Sequence, residues 1–434
     1  MAIATAPGQG GVGIVRLSGA GVHAMGAALF SGTLSHRQLS YGVVRDATGA
    51  VLDQVMATRF DGPRSFTGED VVEIHGHGGP VVLGQIVAAC QVLGARLARP
   101  GEFSERAFLN DKLDLAQAEA IADLISAGSA AAARGALRSL RGAFSARVDD
   151  LAEQLLWLRT YVEATLDFPD EEDVDHLATA QFPERLAQAR RTLASLLTES
   201  ARGQQLTEGV QIALVGPPNV GKSSLLNALA AEDRAIVSDV PGTTRDLLEF
   251  DLVLGGLPIR VVDTAGLRAS EDPVEQEGVR RALARASEID LLVVVSAPQA
   301  RLGPEHRQAL SGLPQLEVWN KADLPGALED RAASGVPVSA LTGQGVDDLV
   351  NAIHQAVGYG ADAAPFSARA RHIEALESCA GALAAAAGEL DAGDGGVLLA
   401  EALRAGHDAL GGITGRVTPD DLLGEIFSSF CIGK

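Results

Sequence analysis

The fold of the central part of this chain is decided by Gly216-Pro217-Pro218-Asn219-Val220-Gly221-Lys222-Ser223. An apolar run from Val210 to Val215 precedes this stretch, and a helical pattern from Ser224 to Leu229 follows it. The order of strand, glycine loop and helix predicts a nucleotide phosphate site, because backbone N–H groups converge on anions at a helix N-terminus. Lys222 is expected to reach the β- and γ-phosphates, and the Ser223 hydroxyl to ligate Mg²⁺.

A second motif, Asn320-Lys321-Ala322-Asp323, identifies the base and follows the apolar strand Leu316 to Trp319. The Asp323 carboxylate can accept hydrogen bonds from N1 and the exocyclic amine of guanine. Adenine offers neither donor on that edge, so a buried Asp323 facing ATP would be left unpaired. The motif therefore predicts GTP, and Ser339-Ala340 after the strand Val336 to Val338 supports this interpretation.

Two segments between these motifs are candidate switches. Asp263-Thr264-Ala265-Gly266 ends the strand Ile259 to Val262, and it supplies a carboxylate for the outer shell of the metal and a glycine amide for the γ-phosphate. Gly242-Thr243-Thr244-Arg245-Asp246 supplies Thr244, whose hydroxyl completes the Mg²⁺ coordination while that phosphate is present. Loss of the γ-phosphate is expected to release both segments.

The residue after the first switch is Leu267, where many small GTPases have a glutamine that orients the attacking water. Leucine cannot do this, and the nearest polar groups are in the acidic segment Glu271-Asp272-Pro273-Val274-Glu275. We single out Glu275 as the candidate general base or water-orienting residue. The alternative is that this segment is a solvated loop.

Composition indicates a multidomain cytosolic protein. A chain of 434 residues exceeds one core, and the formal net charge of −21 argues against broad nonspecific binding of nucleic acid, so any RNA contact must be local. Cys90, Cys379 and Cys431 are dispersed, which argues against a disulfide framework or a zinc site. No apolar run reaches membrane-spanning length, so the predicted location is the cytoplasm.

The order of the patterns predicts a multidomain α/β protein. Residues 1–111 read as an α+β module, with strand patterns at Gly11 to Leu17, Tyr41 to Arg45 and Val71 to His75, and a helix at Val81 to Leu93. Helical spacing dominates Leu113 to Thr165, Pro183 to Ala201 and Arg369 to Phe430. We therefore predict an all-α helical domain, 112–206 and 362–434, interrupted by an inserted Ras-like P-loop GTPase domain at 207–361. Two separate helical bundles are the alternative.

Polar residues of the first module lie on or beside its predicted strands. They are Arg16, Glu73, His75 and His77. The His-Gly-His spacing is compatible with a metal, but ordinary turn histidines are the simpler interpretation because no third ligand is nearby in the sequence.

The five nucleotide motifs occur together with three further runs: the opening Ala2 to Gly19, Gly101 to Asn110, and the terminal Cys431-Ile432-Gly433-Lys434. Together they resemble the MnmE (TrmE) family of tRNA modification GTPases over nearly the whole chain. The phosphate loop alone indicates only a P-loop GTPase, whereas the terminal runs make the resemblance specific.

The resemblance implies a protein that works with an FAD-dependent partner of the MnmG family, as a heterotetramer. Together they would install an aminomethyl or carboxymethylaminomethyl group on C5 of the wobble uridine, position 34, of certain tRNAs. Family members dimerise through the N-terminal module, where they bind a 5-formyltetrahydrofolate-type one-carbon donor. On this sequence the implied folate contacts are Arg16, Glu73, Lys112 and Lys434. A strand-end ion pair of Arg16 with Glu73 and a solvated Lys112 are the alternatives.

The resemblance also implies GTPase domains that pair across their nucleotide faces and use K⁺ where others use an arginine finger. The matching K⁺ ligands are Asn219, Ser238, Val240 and Thr243, while Mg²⁺ falls to Ser223 and Thr244 and the general base to Glu275. Cys431 matches a near-terminal family cysteine, with a reactive and a purely apolar role both open. The residues expected to contact GTP are Asn219, Val220, Gly221, Lys222, Ser223, Ser224, Ser238, Asp239, Val240, Pro241, Gly242, Thr243, Thr244, Asp263, Thr264, Ala265, Gly266, Asn320, Lys321, Asp323, Ser339 and Ala340.

A different class of function stays open at this point. The chain could be a regulatory switch in ribosome assembly or translation, whose helical arms only sense the nucleotide. A reduced-folate site in the N-terminal module distinguishes the two hypotheses, because a pure switch needs none.

Overall fold

The computed structural model describes most of the chain, in two compact units. The described residues are 1–167, 181–232, 249–263, 289–298, 300–325, 327, 335–359, 365–392, 396–416, 420–428, 430 and 433. One unit comprises Met1–Ala122, Val148–Leu156 and Arg404–Lys434, and the other comprises Asp123–Arg147 and Trp157–Leu403. Each unit is described by itself below.

The first unit contains a five-stranded antiparallel sheet with the strand order β1-β2-β5-β4-β3. Its strands are β1 (Ala2–Ile3), β2 (Gly10–Ser18), β3 (Ser40–Arg45), β4 (Val51–Phe60) and β5 (Val71–Gly78). Two helices pack on it, α1 (Val22–Leu29) and α2 (Pro80–Val92). The three strand patterns and the helix predicted from the sequence are confirmed, whereas β1, β4 and α1 were missed.

Side chains along β2 point alternately to the two faces of the sheet, and this decides which of them are buried. Val15 and Leu17 point into the core with Ile74 of β5 and Ile86 of α2, and all four are almost fully buried. Arg16 lies between them on the opposite face, because side chains alternate along a strand. The register pairs Arg16 with Glu73, so the two charged residues are cross-strand neighbours.

A charge network centred on the buried Glu102 joins α3 (Glu102–Leu109) to the segment before it. Glu102 accepts hydrogen bonds from both terminal nitrogens of Arg96, from Arg106 and from the Arg99 backbone N–H. Arg106 also donates to Glu69 at 2.7 Å. Burial alone would raise the pKa of Glu102, but the hydrogen bonds from Arg96 and Arg106 outweigh it and lower the pKa from 4.5 to about 2.

We expect the Glu102→Gln variant to be less stable than the wild type at pH 7 and to lose less stability in acid. Because the folded-state pKa is lowered, the contribution is present above the unfolded value near 4.5 and is lost as the pH falls toward 2. It amounts to at most about 3 kcal/mol. Calorimetry at pH 7 and pH 3 measures this, with Glu105→Gln in the same helix as control. Parallel pH curves for the wild type and Glu102→Gln would contradict the assignment.

Helices complete the first unit. The N-terminal part of α4 (Leu115–Ser126) and the C-terminal helix α13 (Asp420–Ser428) share an apolar cluster that contains Leu115, Ile426 and Phe427. A Cβ added to Gly101 would clash with the Phe427 carbonyl oxygen, and the φ angle of Gly101 is +65°. Only glycine fits there, so Gly101 allows α13 to pack closely against the start of α3.

The second unit contains a sheet together with helices that precede and follow that sheet in the chain. Its helices include α5 (Ala130–Leu140), most of α6 (Ala143–Asp167), α7 (Gln181–Glu208), α11 (Ala370–Ala392) and the first part of α12 (Gly396–Thr414). Helix α7 precedes the sheet in the chain, α11 follows it, and the two pack against each other. This packing confirms one helical domain interrupted by an insertion and disfavours two separate bundles. Helix α7 is longer than the predicted Pro183 to Ala201.

The inserted sheet has six strands in the order β11-β10-β9-β6-β8-β7, and only β7 runs antiparallel. The strands are β6 (Val210–Val215), β7 (Glu249–Leu254), β8 (Leu257–Asp263), β9 (Leu291–Ser296), β10 (Gln315–Trp319) and β11 (Val336–Pro337). Helices α8 (Lys222–Glu232), α9 (Pro304–Ala309) and α10 (Val346–Ala356) belong to the same insertion. Parallel neighbours bring the carboxyl ends of β6, β8, β9 and β10 to one edge, where ligands bind in such folds.

Across the described ranges, none of the helices combines the length and the apolar character that crossing a bilayer requires.

Candidate functional site

The predicted phosphate loop lies at the carboxyl edge of the inserted sheet. It leaves β6 at Gly216 and enters α8 at Lys222, with Asn219 at φ +61° and Gly221 at φ +92°. A Cβ on Gly216 would overlap the carbonyl oxygen of Val295, in the neighbouring strand β9. The two framing glycines therefore allow the close approach that the loop requires, as the sequence predicted.

Asn320 couples the phosphate loop to the predicted base-recognition segment. Its side-chain amide donates to the Val220 carbonyl oxygen at 2.8 Å, and its side-chain oxygen accepts from the Ala340 backbone N–H at 3.1 Å. Asn320 is 2% exposed, so its bond to Val220 is buried and its bond to Ala340 is partly buried. Lys321 donates to the Asn219 carbonyl oxygen at 2.7 Å, which is a second tie between the same segments. The residues predicted for phosphate and base recognition are thus brought together.

Two side chains of this site remain accessible for ligand contacts. The Lys222 ammonium donates to the carbonyl oxygens of Gly216 and Pro217, at 2.6 and 3.0 Å, so it sits within the loop that would hold the phosphates. Asp323 is exposed, one turn beyond Asn320, while Ser339 is buried and accepts from the Thr342 backbone N–H at 3.2 Å. The arrangement can hold a triphosphate at one end and a purine at the other.

The two switch segments can be placed only in part. Strand β8 ends at Asp263, beside β6, so this residue reaches the same sheet edge as the phosphate loop. The other predicted switch, cation and general-base residues lie outside the described residues: Ser238, Asp239, Val240, Pro241, Gly242, Thr243, Thr244, Thr264, Ala265, Gly266 and Glu275. Val220, Ser223 and Ser224, by contrast, lie at the loop and the first turn of α8.

A second candidate site lies on the N-terminal sheet, around Arg16 and Glu73. Arg16 Nε donates to Glu73 Oε1 at 2.7 Å, and His75 Nε2 lies 3.2 Å from Glu73 Oε2. Burial alone would raise the pKa of Glu73, but the hydrogen bond of His75 and the charge of Arg16 lower it. The ion pair that the sequence left as an alternative is therefore present, and it holds Glu73 ionised.

Two aromatic rings border this ion pair, and sequence reasoning did not assign them. The Arg16 guanidinium carbon lies 5.8 Å from the ring centre of Phe66 and 5.7 Å from that of Phe103. Phe103 belongs to the Gly101 to Asn110 run, which was the available signal, whereas nothing in the sequence connected Phe66 with Arg16. A charged pair between aromatic rings suits a flat heteroaromatic ligand.

Of the other predicted folate contacts, the structure describes Lys112 but not the last residue of the chain. Lys112 Nζ donates to the Pro63 carbonyl oxygen at 3.0 Å. The Gly433 carbonyl oxygen lies 3.5 Å from Arg16 Nη1, while Lys434 and Cys431 lie outside the described residues. Lys112 also lines a cavity of about 460 Å³, which Arg16 and Glu73 do not line. The two histidines of the His-Gly-His run bond different carboxylates, since His77 Nδ1 lies 2.8 Å from Asp53.

Two family models match the chain, one after the other along the sequence. Residues 1–112 match the GTP-binding protein TrmE N-terminus, and residues 115–431 match the MnmE helical domain. A protein named tRNA modification GTPase MnmE from Pseudomonas syringae pv. syringae (strain B728a) is 50% identical over 448 residues, covering 100% of this chain and 98% of that protein. One of the same name from Xanthomonas campestris pv. campestris (strain B100) is 52% identical over 444 residues, with the same coverage.

One solved structure is similar to about a third of this chain. The FeoB G-domain from Methanococcus jannaschii is 28% identical, covers 34% of this chain and 98% of its own, and has a TM-score of 0.26.

Proposed function

The chain belongs to the MnmE (TrmE) family of tRNA modification GTPases, and on that premise we propose that it hydrolyses GTP while modifying the wobble uridine of certain tRNAs. The modification would be an aminomethyl or carboxymethylaminomethyl group on C5, installed with an FAD-dependent partner and a reduced-folate donor in the cytoplasm. The structural observation that carries the GTPase part is the Asn320 amide, which ties the phosphate loop to the base-recognition segment at 2.8 Å.

The residues would share the work as follows. Lys222 and the loop N–H groups bind the phosphates, Asp323 pairs guanine, and Ser223 with Thr244 hold Mg²⁺. Mg²⁺ supplies charge neutralisation at the β- and γ-phosphates. Glu275 orients or activates water, a role that rests on the sequence alone. We also propose the domain limits 1–111, 112–206, 207–361 and 362–434, and a homodimer formed through the first of these domains.

Mass spectrometry of wobble nucleosides tests the proposal. Cells that lack this protein should lose the C5 modification and regain it with the wild-type gene but not with Lys222→Ala. The Lys321→Ala variant is not a suitable control because Lys321 contacts the loop, whereas the exposed surface variant Asp347→Asn should restore the modification. Unchanged wobble nucleosides in cells without the protein would favour the regulatory switch instead.

The N-terminal geometry narrows how a folate would be held. Arg16 and Glu73 lie 2.7 Å apart and therefore meet the same end of a long ligand, so they cannot serve its pterin and its glutamate separately. We propose that Glu73 pairs the aminopyrimidine edge between Phe66 and Phe103, that Arg16 holds Glu73 ionised, and that Lys112 and Lys434 serve the glutamate carboxylates. The Gly433 carbonyl oxygen, 3.5 Å from Arg16 Nη1, supports a place for the chain end at this site.

We expect Glu73→Gln to weaken binding of 5-formyltetrahydrofolate by roughly 10- to 100-fold, because one charge-assisted hydrogen bond to the ligand is lost. Titration calorimetry with the full chain measures this. Arg45→Gln, on the exposed edge strand, is the control and should bind like the wild type. If Glu73→Gln unfolds more easily yet binds folate unchanged, the ion pair is only structural and the proposal is wrong.

The proposed K⁺ site can be tested at Asn219. This residue is exposed within the phosphate loop, so its side-chain oxygen is available to a monovalent cation. A monovalent cation held there would neutralise charge that develops on the phosphates in the transition state, so replacing K⁺ by Na⁺ should slow GTP hydrolysis about tenfold or more. Asn219→Ala should be slow in both salts, while Asn351→Ala, on the exposed face of α10, should keep the wild-type preference. Equal wild-type rates in both salts would remove this site.

A further inference from the structure

Three polar side chains meet at the base of the loop that joins β4 to β5. His23 stands in the first turn of α1, Asp61 follows β4 directly, and Asp70 precedes β5 directly. One ring nitrogen of His23 and one oxygen of each carboxylate lie within 4.8 Å of one another. No other group of this kind occurs among the residues that the structure describes.

The distances in this group are unlike those of hydrogen-bonded pairs. His23 Nε2 lies 3.6 Å from Asp61 Oδ1, and His23 Nδ1 lies 3.6 Å from Asp70 Oδ2. His23 Nε2 and Asp61 Oδ1 are shielded from water and make no hydrogen bond, although Asp61 Oδ1 also forms an ion pair with Arg59 Nε at 3.2 Å. Ligand atoms around a tetrahedral metal with bonds of about 2.0–2.1 Å are separated by about 3.4 Å, close to the distance between His23 Nε2 and Asp61 Oδ1. Asp70 Oδ2 faces the other ring nitrogen, so the Asp70 carboxylate would rotate to become the third ligand of the same ion.

The same sheet provides a comparison. His77 Nδ1 lies 2.8 Å from Asp53 Oδ1, which is an ordinary hydrogen bond between a histidine and a carboxylate. The His23 group therefore does not reflect a general looseness of such pairs. Buried polar atoms without partners require an explanation, and a bound ion is one that satisfies both atoms at once.

The charges around the group are compatible with a divalent cation. Arg59 Nε lies 3.2 Å from Asp61 Oδ1, and His36 Nδ1 accepts from the Asp61 backbone N–H at 3.0 Å, so that ring nitrogen carries no proton. With His23 neutral, two carboxylates and one guanidinium sum to −1 (−2 + 1). The side chains of Asp61 and Asp70 are 43% exposed, so there is room for the small rotation that brings an Asp70 oxygen closer to the other two ligand atoms, which lie within 4.8 Å of it.

We propose that His23, Asp61 and Asp70 bind one divalent transition-metal ion of the Zn²⁺ class, with water at the open position. One imidazole and two carboxylates suit such an ion. The ion would close the base of the loop, where the Gly62 backbone N–H already donates to Asp70 Oδ1 at 2.9 Å. The proposal does not depend on the folate assignment.

The clamped loop carries groups of the second candidate site. Phe66 lies beside Arg16, and the Pro63 carbonyl oxygen accepts from Lys112. A metal at the base of the loop would hold both contacts in place. The hydrogen bonds given above for Arg16 and Glu73 involve none of the three proposed metal ligands. The ion would therefore have a structural role.

Zinc titration of the full chain, stripped with a chelator, tests the site. The wild type should bind one Zn²⁺ at this site, and His23→Gln should bind it at least about 100-fold more weakly, since loss of a neighbour that only orients a ligand already costs 10- to 100-fold. Asp70→Asn is the second variant, because an asparagine oxygen can still accept from Gly62. His77→Gln is the matched control and should bind zinc like the wild type.

Proteolysis adds a readout of the loop itself. Arg64 is exposed within the loop, and trypsin cleaves after arginine. If opening the loop requires release of the ion, zinc at about ten times its dissociation constant should slow this cleavage roughly tenfold. The His23→Gln chain should be cleaved at one rate with or without zinc.

Several outcomes would overturn the proposal. These are no saturable zinc binding by the wild type, binding that survives in both His23→Gln and Asp70→Asn, or binding lost equally in His77→Gln. Binding abolished by Cys431→Ala alone would place the zinc at the chain end instead. A folded Asp70→Asn chain that binds zinc normally would be decisive even if His23→Gln failed to fold.

Discussion

The Asp323→Asn variant should prefer xanthosine triphosphate to GTP. The wild-type carboxylate accepts from N1–H and the exocyclic amine of guanine, whereas an asparagine offers one acceptor and one donor. Xanthine has an oxygen where guanine has the amine, so it matches that pair. Since an unmatched polar contact is strongly rejected, GTP affinity should fall by about 1,000-fold, and xanthosine triphosphate should recover much of the loss.

Equilibrium titration with both nucleotides measures the change. Asp323 is exposed and adjoins the turn that the Ala322 N–H to Val338 carbonyl bond fixes at 3.0 Å, so the substitution should leave the fold intact. Asp347→Asn removes one exposed carboxylate of the same domain without touching the site, and should keep the GTP preference. An Asp323→Asn chain that still prefers GTP would show that another residue recognises the base.

The Asn320→Ala variant should weaken the binding of both GTP and GDP. Removing this side chain leaves the Val220 carbonyl oxygen and the Ala340 N–H without their present partners, in a position that is 2% exposed. Two such losses destabilise the coupled segments by about 2–4 kcal/mol, which corresponds to roughly 30- to 1,000-fold in affinity. The loss should be similar for both nucleotides because the amide contacts the protein and not the γ-phosphate.

Nucleotide titration together with thermal unfolding checks this expectation. The Asn320→Thr variant keeps a donor and an acceptor at the same position, so it should lose less affinity than Asn320→Ala. Affinity for GTP within threefold of the wild type in Asn320→Ala would mean that the two segments hold their positions without this bridge.

The sequence was most informative where chemistry depends on local spacing. The loop from Gly216 to Ser223 brings its own turn and helix start, so its position after β6 and before α8 could be predicted from eight residues. Asn320 to Asp323 was recognised as a motif, but its hydrogen bonds to Val220 and Ala340 could not be foreseen. The first bond joins residues 100 positions apart in sequence and the second joins residues 20 positions apart, and only the order of strands brings them together.

Long-range pairings explain what was missed. Strand β4 mixes polar and apolar residues on both faces, with Asp53, Gln54 and Arg59 among them, so period-two alternation is weak there. Phe66 reaches Arg16 only because the loop between β4 and β5 folds back. His23 and Asp70 are separated by 47 positions (70 − 23), and nothing in the local sequence connects them.

Reconstitution of the modification tests the central claim most directly. The purified chain, the FAD-dependent partner, unmodified tRNA and 5-formyltetrahydrofolate are incubated with GTP or with a non-hydrolysable analogue, and the wobble nucleosides are measured by mass spectrometry. We expect C5-modified uridine 34 with GTP and little or none with the analogue. Equal yields with both nucleotides, or no modified nucleoside in either reaction, would contradict the account.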